Sequence, residues 1–387
     1  MLRPLVWAAR LLCVIAIASV PACAAQVLPV PVTQTTTIAP PTQTPPPLDA
    51  PVIESPSLVA VRMFDESNGW GVSDTAVLRT ADGGVTWHDV SPIESAFGYS
   101  VTTEFIDHQR GWVLIPNPED WLSGILYRTS DGGAHWNESP APFGGGALQF
   151  IDNQHGWMMA SLGAGAGSMA IAVHQTEDAG ASWVRTYVND PTQQGAGGSL
   201  PLGGLKDGIT PISMQQAWIG GVVYEPGRTY LYQTADAGRT WAPSPVAAPD
   251  GYELAEVQTP GPIFAGPQIA FLPVHLSSQY GVLLAVYVSR DGGASWLLTP
   301  QFIPQGGSLD FVSPEIGFAW NGNSFYMTLD AAQSWASISP DVDFTDSFTG
   351  MDFVSGQVGF VLSDQGDRGR HLYVTRDGAA TWEIVGR

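Results

Sequence analysis

Seven aspartates recur along the chain, Asp82, Asp131, Asp178, Asp236, Asp291, Asp330 and Asp377, each two residues after a Thr or Ser. Each is followed five residues later by a tryptophan: Trp87, Trp136, Trp183, Trp241, Trp296, Trp335 and Trp382. Carboxylates in such numbers raise the question of acid–base chemistry, in which two of them must converge on one bond. Seven copies distributed evenly through a repeating structure cannot meet at one substrate. The local chemistry explains the pattern without a ligand. An Asp in a tight turn accepts hydrogen bonds from backbone N–H groups a few residues on, glycine admits positive φ, and the Thr or Ser hydroxyl bonds locally. The Trp opens the next strand and packs a large apolar face. These residues are therefore expected to be structural, and no catalytic residue is assigned.

Other candidates for chemistry are weaker. The seven histidines show no H-x-H or H-E-x-x-H spacing, so no metal site is expected. The string "GAGAGS" at 163 to 168 opens no helix, which removes the phosphate-loop reading and leaves a hairpin loop. No cofactor is implied.

The elements that hold the aspartates emerge from the repeat. Six of the boxes are preceded by a second signature, as in "VRMFDESNGWGVS" (61), "TEFIDHQRGWVLI" (103), "LQFIDNQHGWMMA" (148) and "MDFVSGQVGFVLS" (351), while the fifth copy, around "PIFAGPQIAFLPV", lacks the Gly-aromatic pair. Each unit reads as strand a, polar turn, strand b opening with Gly-Trp, loop, strand c ending in Thr or Ser, Asp turn, and strand d opening with Trp. The fold expected is all-β: a seven-bladed β-propeller of four-stranded antiparallel blades over residues 57–387, which leaves only short sheet edges exposed. The Gly-Trp residues Trp70, Trp112, Trp157 and Trp218 are expected to pack between blades. Two boxes carry Ala332 and Ala379 where the second glycine belongs, and distorted turns are expected there.

The eight-residue box matches the Asp-box, or BNR repeat, S/T-x-D-x-G-x-T/S-W. Together with the F-x-D-x-x-x-G-W half, the unit resembles the repeats of the photosystem II stability and assembly factor family. More broadly it is similar to the Asp-box propellers that include sialidases, xyloglucanases and sortilin-type receptors. The assembly-factor resemblance implies a non-enzymatic, protein-binding role. A sialidase would carry an N-terminal F/Y-R-I-P segment, whose nearest counterpart here is "VRMF" at 61 to 64. Glycan binding or glycoside hydrolysis stands as the alternative.

In such a blade the a–b and c–d turns share one face of the disc, and the b–c and d–a loops share the other. Length variation falls on that second face, in "IPNPEDWLSG" (115 to 124), "YEPGR" (224 to 228), "SDQGDRGR" (363 to 370) and the long segments 187–208 and 242–259. Of the 14 tryptophans, Trp121 and Trp320 are the two in the mature chain outside boxes and Gly-Trp pairs. They are expected on this loop face as recognition residues, with Tyr187, Tyr224, Arg228, Tyr252, Arg368 and Arg370 as companions.

The net charge of −21 and the single lysine, Lys206, argue against a nucleic-acid partner. A protein or glycan partner and a monomeric chain are expected. The first 24 residues, with Arg3 and Arg10 before an apolar run, read as a signal peptide. Its ending "VPAC" resembles the bacterial lipoprotein box, so the mature chain is expected to start at a lipidated Cys23, the only cysteine outside the removed segment. Ordinary cleavage after "ACA" and secretion is the alternative. Residues 25–56, rich in Pro and Thr, form an expected disordered tether that would hold the domain off the membrane. Cys23→Ala is predicted to abolish acyl labelling and release the protein from the membrane fraction. A mature N-terminus mapped at Ala25 would refute lipidation.

Overall fold

The computed structural model describes residues 49–98 and 101–386; the expected signal peptide, Cys23 and most of the tether lie outside them. Almost no helix is present among the described residues, and every strand pair is antiparallel apart from one isolated bridge. The first sheet holds Leu58–Met63, Gly69–Ser73, Val77–Thr80 and Trp87–Asp89 in sequence order. The second holds Thr102–Phe105, Gly111–Asn117, Asp120–Thr129 and Asn137–Ala141, and the third Gly146–Phe150, Gly156–Gly165, Ser168–Thr176 and Val184–Val188. The last two hold Ser308–Phe311, Gly317–Trp320, Phe325–Thr328 and Ala336–Ile338, then Phe348–Phe353, Gly359–Asp364, Arg370–Thr375 and Glu383–Ile384.

The fourth and fifth repeats depart from this scheme by sharing one ten-stranded sheet. Glu256–Thr259 pairs with Ala217–Val222 of the fourth repeat and with Ala270–Ser278 of the fifth. The fifth repeat's first strand is thereby split, and Ile263–Phe264 supplies its other half. This is the repeat whose Gly-aromatic signature is missing.

Each box closes its turn in the same way. In the first, the Thr80 hydroxyl donates to Asp82 Oδ1 at 2.9 Å and accepts from Gly84 N at 2.8 Å, while Thr86 N donates to Asp82 Oδ1 at 2.8 Å. The N–H of the residue after the Asp reaches across to the a–b turn of its own repeat, as Gly83 N does to Ser67 O at 2.8 Å and Gly378 N to Gln357 O at 2.9 Å. The turn expected to distort at Ala332 and Ala379 does not. Both alanines adopt left-handed φ, 64° and 78°, and donate to the Thr328 and Thr375 hydroxyls at 3.0 and 3.1 Å. The retained hydrogen bonds and burial of both methyls offset the steric cost of that conformation.

Between repeats the core is aromatic. The first residue pair of strand b explains itself once the a strand is placed. Its glycine lets the aromatic ring of strand a lie flat over the backbone, and its Trp or Phe stacks on the a-strand ring of the next repeat. Trp70 stacks on Phe105 at 4.5 Å and 10°, Trp112 on Phe150 at 3.7 Å and 8°, and Phe318 on Phe353 at 3.7 Å and 7°. Three of these indole N–H groups donate to turns of the following repeat, Trp70 to Asp107 O and Trp112 to Ala179 O at 2.9 Å and Trp157 to Ser213 O at 3.1 Å, whereas Trp218 Nε1 is buried without a partner. Four box tryptophans, Trp87, Trp241, Trp335 and Trp382, are buried, and Trp136, Trp183 and Trp296 partly so.

The last sheet packs on the first through a cluster joining Leu58, Met63, Leu78 and Trp87 to Phe360, Leu362 and Leu372. The expected tether boundary moves: Val52–Ile53 pairs with Trp87–Asp89 as a fifth strand, and Pro51 O accepts from Asp89 N at 2.8 Å. Gly156→Ala is predicted to cost about 1–3 kcal/mol by overpacking, because its Cβ would lie 2.7 Å from the Phe150 ring, whereas nothing lies within 4 Å of a Cβ at Gly145. Urea denaturation of Gly156→Ala beside Gly145→Ala tests the stacking geometry.

Candidate functional site

Two places gather polar or exposed side chains beyond the needs of a repeat. The first is central. Apart from Glu256–Thr259, which is paired on both sides, the first strands leave one edge unpaired, and buried main-chain N–H groups require partners. Side chains from the preceding repeat supply two of them: Asp310 accepts from Phe353 N at 2.8 Å and Asp352 from Met63 N, while Glu104, at the matching position, accepts from Gln149 Nε2 at 3.4 Å. Arg62 pairs with Asp352 at 2.9 Å across the seam between last and first repeats. A cavity of about 310 Å³ opens beside them, lined by Arg62, Thr103, Glu104 and Gln149 and backed by Trp70 and Phe105.

Burial in this opening raises the carboxyls. Glu104 is pushed up to about 7, against the lowering effects of Arg62 and the Phe150 N–H. Asp352 is pushed up to about 6 by burial, with Asp310 raising it further and Arg62 pulling it down. Asp310 is also raised, by burial first. Sequence reasoning missed this ring. Its signal was present: the residue before the a-strand aromatic or its equivalent is polar in Arg62, Glu104, Gln149, Thr210, Asp310 and Asp352, at a position whose exposed edge faces inward.

The second place is the loop face. Trp121, at the start of Asp120–Thr129, and Tyr224, in the b–c loop of the fourth repeat, are each 58% exposed. Between them stands the Gly-Ala-Gly-Ala-Gly-Ser hairpin, which continues the paired strands Gly156–Gly165 and Ser168–Thr176 almost to its tip instead of forming a loose loop. A methyl added at Gly163 would sit 3.9 Å from the Trp121 ring, and one at Gly167 3.2 Å from Tyr224. The small side chains are what let the two aromatics flank the hairpin closely.

Anchors behind this surface fix it. Lys206 is buried, and its ammonium donates to the carbonyls of Met169, Leu202, Gly203 and Gly204 at 2.8 to 3.3 Å, with burial pushing it down to about 8. Tyr187 is also buried. Its hydroxyl accepts from Leu200 N at 2.7 Å and donates to Gly197 O at 2.9 Å, so it braces the 187–208 segment and presents nothing to a partner.

The other expected face residues divide. Trp320 is 4% exposed and packs against Phe325 and Phe348, because strand alternation turns it toward the last repeat; its place as a recognition residue is withdrawn. Tyr252 is half-buried, edge-on to Phe302 at 6.2 Å. Arg228 pairs with Glu225 beside Tyr224. Arg370 bridges Asp74 and Asp364 at 3.0 Å each across the seam between the last and first repeats, and Arg368 is exposed in the loop before it. Among the described residues no group of three or more His, Cys, Asp or Glu is placed to hold a metal ion.

No protein-family model matches the sequence, and no curated protein matches it. Solved structures do. The chain is similar to the GH74 xyloglucanase from Xanthomonas campestris, at 13% identity and a TM-score of 0.59 over 87% of this chain and 55% of that one. It is also similar to a PL25 ulvan lyase, at 10% identity and a TM-score of 0.52 over 86% and 95% of the two chains. The fold is a β-propeller. YCF48 bound to D1 peptide aligns over 87% of this chain and 99% of that one, at 18% identity and a TM-score of 0.49. The chain spans about half the length of the xyloglucanase.

The raised central carboxyl carries a pH dependence of defined sign. Glu104 binds a proton more tightly folded than unfolded, so its stabilising contribution is full below its ordinary value of 4.5 and is lost as pH climbs through about 7. Glu104→Gln, which removes the titrating group at nearly constant size, is predicted to match the wild type in urea unfolding at pH 4.5 and to exceed it at pH 8. Equal midpoints at pH 8 would place the buried proton elsewhere.

Proposed function

We infer that the protein is a closed, seven-bladed propeller that works outside the cytoplasm as a non-enzymatic binding scaffold, tethered through a lipid on Cys23. The observation that carries the binding role is the pair of exposed aromatics, Trp121 and Tyr224, set on either side of a strand-paired glycine-rich hairpin. Exposed aromatic rings held by braced loops present large contact area at low entropic cost, which is the usual composition of recognition surfaces. Two of the central carboxylates are engaged otherwise: Asp310 and Asp352 each cap a main-chain N–H of the next repeat. The Cys23 anchor and the Pro/Thr-rich tether fit a scaffold displayed from a membrane.

A second reading, glycan processing, rests on a different observation. Glu104 lines a cavity and is pushed up to about 7, a range suited to donating a proton near neutral pH. The two readings separate by mutation. Affinity capture from detergent-solubilised membranes of the native host is predicted to lose its specific partner with Trp121→Ala/Tyr224→Ala and to retain it with Glu104→Gln. Capture unaffected by the aromatic double variant would overturn the loop-face reading. Polysaccharide cleavage abolished by Glu104→Gln would establish the enzymatic one.

A further inference from the structure

The loop face carries more than two aromatics. Leu254, 87% exposed, lies in the segment joining the fourth repeat to the fifth, and Tyr280, 83% exposed, tips the long hairpin of the fifth. The anchors are physically connected. Trp121 reaches the 163–168 hairpin, which abuts Tyr224 at its other end. The Tyr224 loop then meets the segment carrying Leu254, with Gly227 N donating to Ala255 O at 2.7 Å and Gly227 packed against the Glu253 carbonyl.

Carboxylates border three of these anchors in sequence: Glu119 and Asp120 precede Trp121, Glu225 follows Tyr224, and Glu253 precedes Leu254. All four are exposed. Turn geometry orients two of them, Asp120 accepting from Leu122 N at 3.2 Å and Glu253 from Gly251 N at 2.9 Å. Arg228, paired with Glu225, is the basic residue set among them. An apolar ring beside a fixed negative charge, repeated along a connected strip, is complementary to a chain that alternates apolar and positive side chains. A polyanion or an anionic lipid surface meets repulsion at the same strip, reinforced by the net charge of −21.

We propose that the strip from Trp121 through Tyr224 to Leu254 docks a cationic, amphipathic segment of a partner polypeptide, its apolar side chains on the exposed anchors and its Lys or Arg residues against Glu119, Asp120, Glu225 and Glu253. This inference rests on the loop-face binding role proposed above and names the chemistry of the partner.

The test uses four fluorescent probes with the purified folded chain: a twelve-residue peptide alternating lysine with leucine and tryptophan, the same peptide with glutamate for lysine, a lysine–serine peptide of equal charge, and cellohexaose. Anisotropy is expected to show binding of the first peptide alone. Its Kd should rise at least tenfold with Trp121→Ala and with Glu119→Gln/Asp120→Asn, and it should weaken markedly between 50 and 500 mM salt. Variant thermal midpoints within about a degree of wild type keep the comparison one of binding. Equal binding of the lysine–serine peptide, or a Kd insensitive to Trp121→Ala, would reduce the strip to a diffuse acidic surface and overturn the inference. No binding of the first peptide overturns it as well. Cellohexaose binding that is lost with Trp121→Ala would overturn the partner chemistry while leaving the loop-face site standing. A captured partner retained by Trp121→Ala/Tyr224→Ala would instead bring down the site itself.

Discussion

The structure depends on one contact, the flat stacking of a b-strand aromatic on the a-strand ring of the following repeat. Phe271 on Phe311, at 3.4 Å and 2°, and Phe318 on Phe353 show it in its tightest form. The stack forms because each a-strand ring can lie over a glycine of its own repeat, at Gly111, Gly156, Gly317 or Gly359, and so meet the neighbour at a fixed height. Neighbouring sheets share few main-chain bonds, so this apolar overlap supplies most of what holds one to the next. The Asp turns serve the same contact from below. By tying the c–d turn to the a–b turn, they fix the level at which Gly-Trp enters strand b.

That dependence explains what was readable beforehand. A contact that recurs from repeat to repeat, flat in four of the pairs, writes itself into the sequence as a periodic string, and the strands, the turns and the structural role of Asp82 and its counterparts followed from that string. Features that break the period were not readable. The fusion of the fourth and fifth repeats arises where "PIFAGPQIAFLPV" lacks the Gly-aromatic pair, and sequence spacing does not reveal that Glu256–Thr259 bonds two neighbours at once. Trp320 failed for a related reason. Lying outside the repeated tryptophan positions, it looked free for recognition, but strand alternation directs it into the core beside Phe348.

The central ring and the loop face follow opposite logics. Around the axis, carboxyls are buried where strand edges must be capped, and the cost appears in Asp352, pushed up to about 6, and in Asp310, also raised. On the loop face, Trp121 and Tyr224 are left exposed, while Tyr187 and Trp320 are buried. Lys206 links the two logics. The chain's single lysine is withdrawn from a strongly acidic surface and closed in a cage of carbonyls, where it braces the segment behind the hairpin. The surface in front of it is left mostly to carboxylates and apolar groups, with Arg228 paired to Glu225 among them.

The junction between the last and first repeats has no shared strand. All four strands of the first repeat come from residues 58–89 and all four of the last from residues 348–384, and the two are joined by Phe360 and Leu362 against Leu58 and Met63, the Arg62–Asp352 pair and the Arg370–Asp74 bridge. Such a seam joins complete sheets, as the other joins do apart from that between the fourth and fifth repeats. The point at which the polypeptide opens is therefore arbitrary with respect to the assembled circle. A gene could gain, lose or rotate whole repeats by unequal crossing-over without having to rebuild a composite blade, and the irregular fusion at the fourth and fifth repeats marks the one place where that modular freedom has been given up.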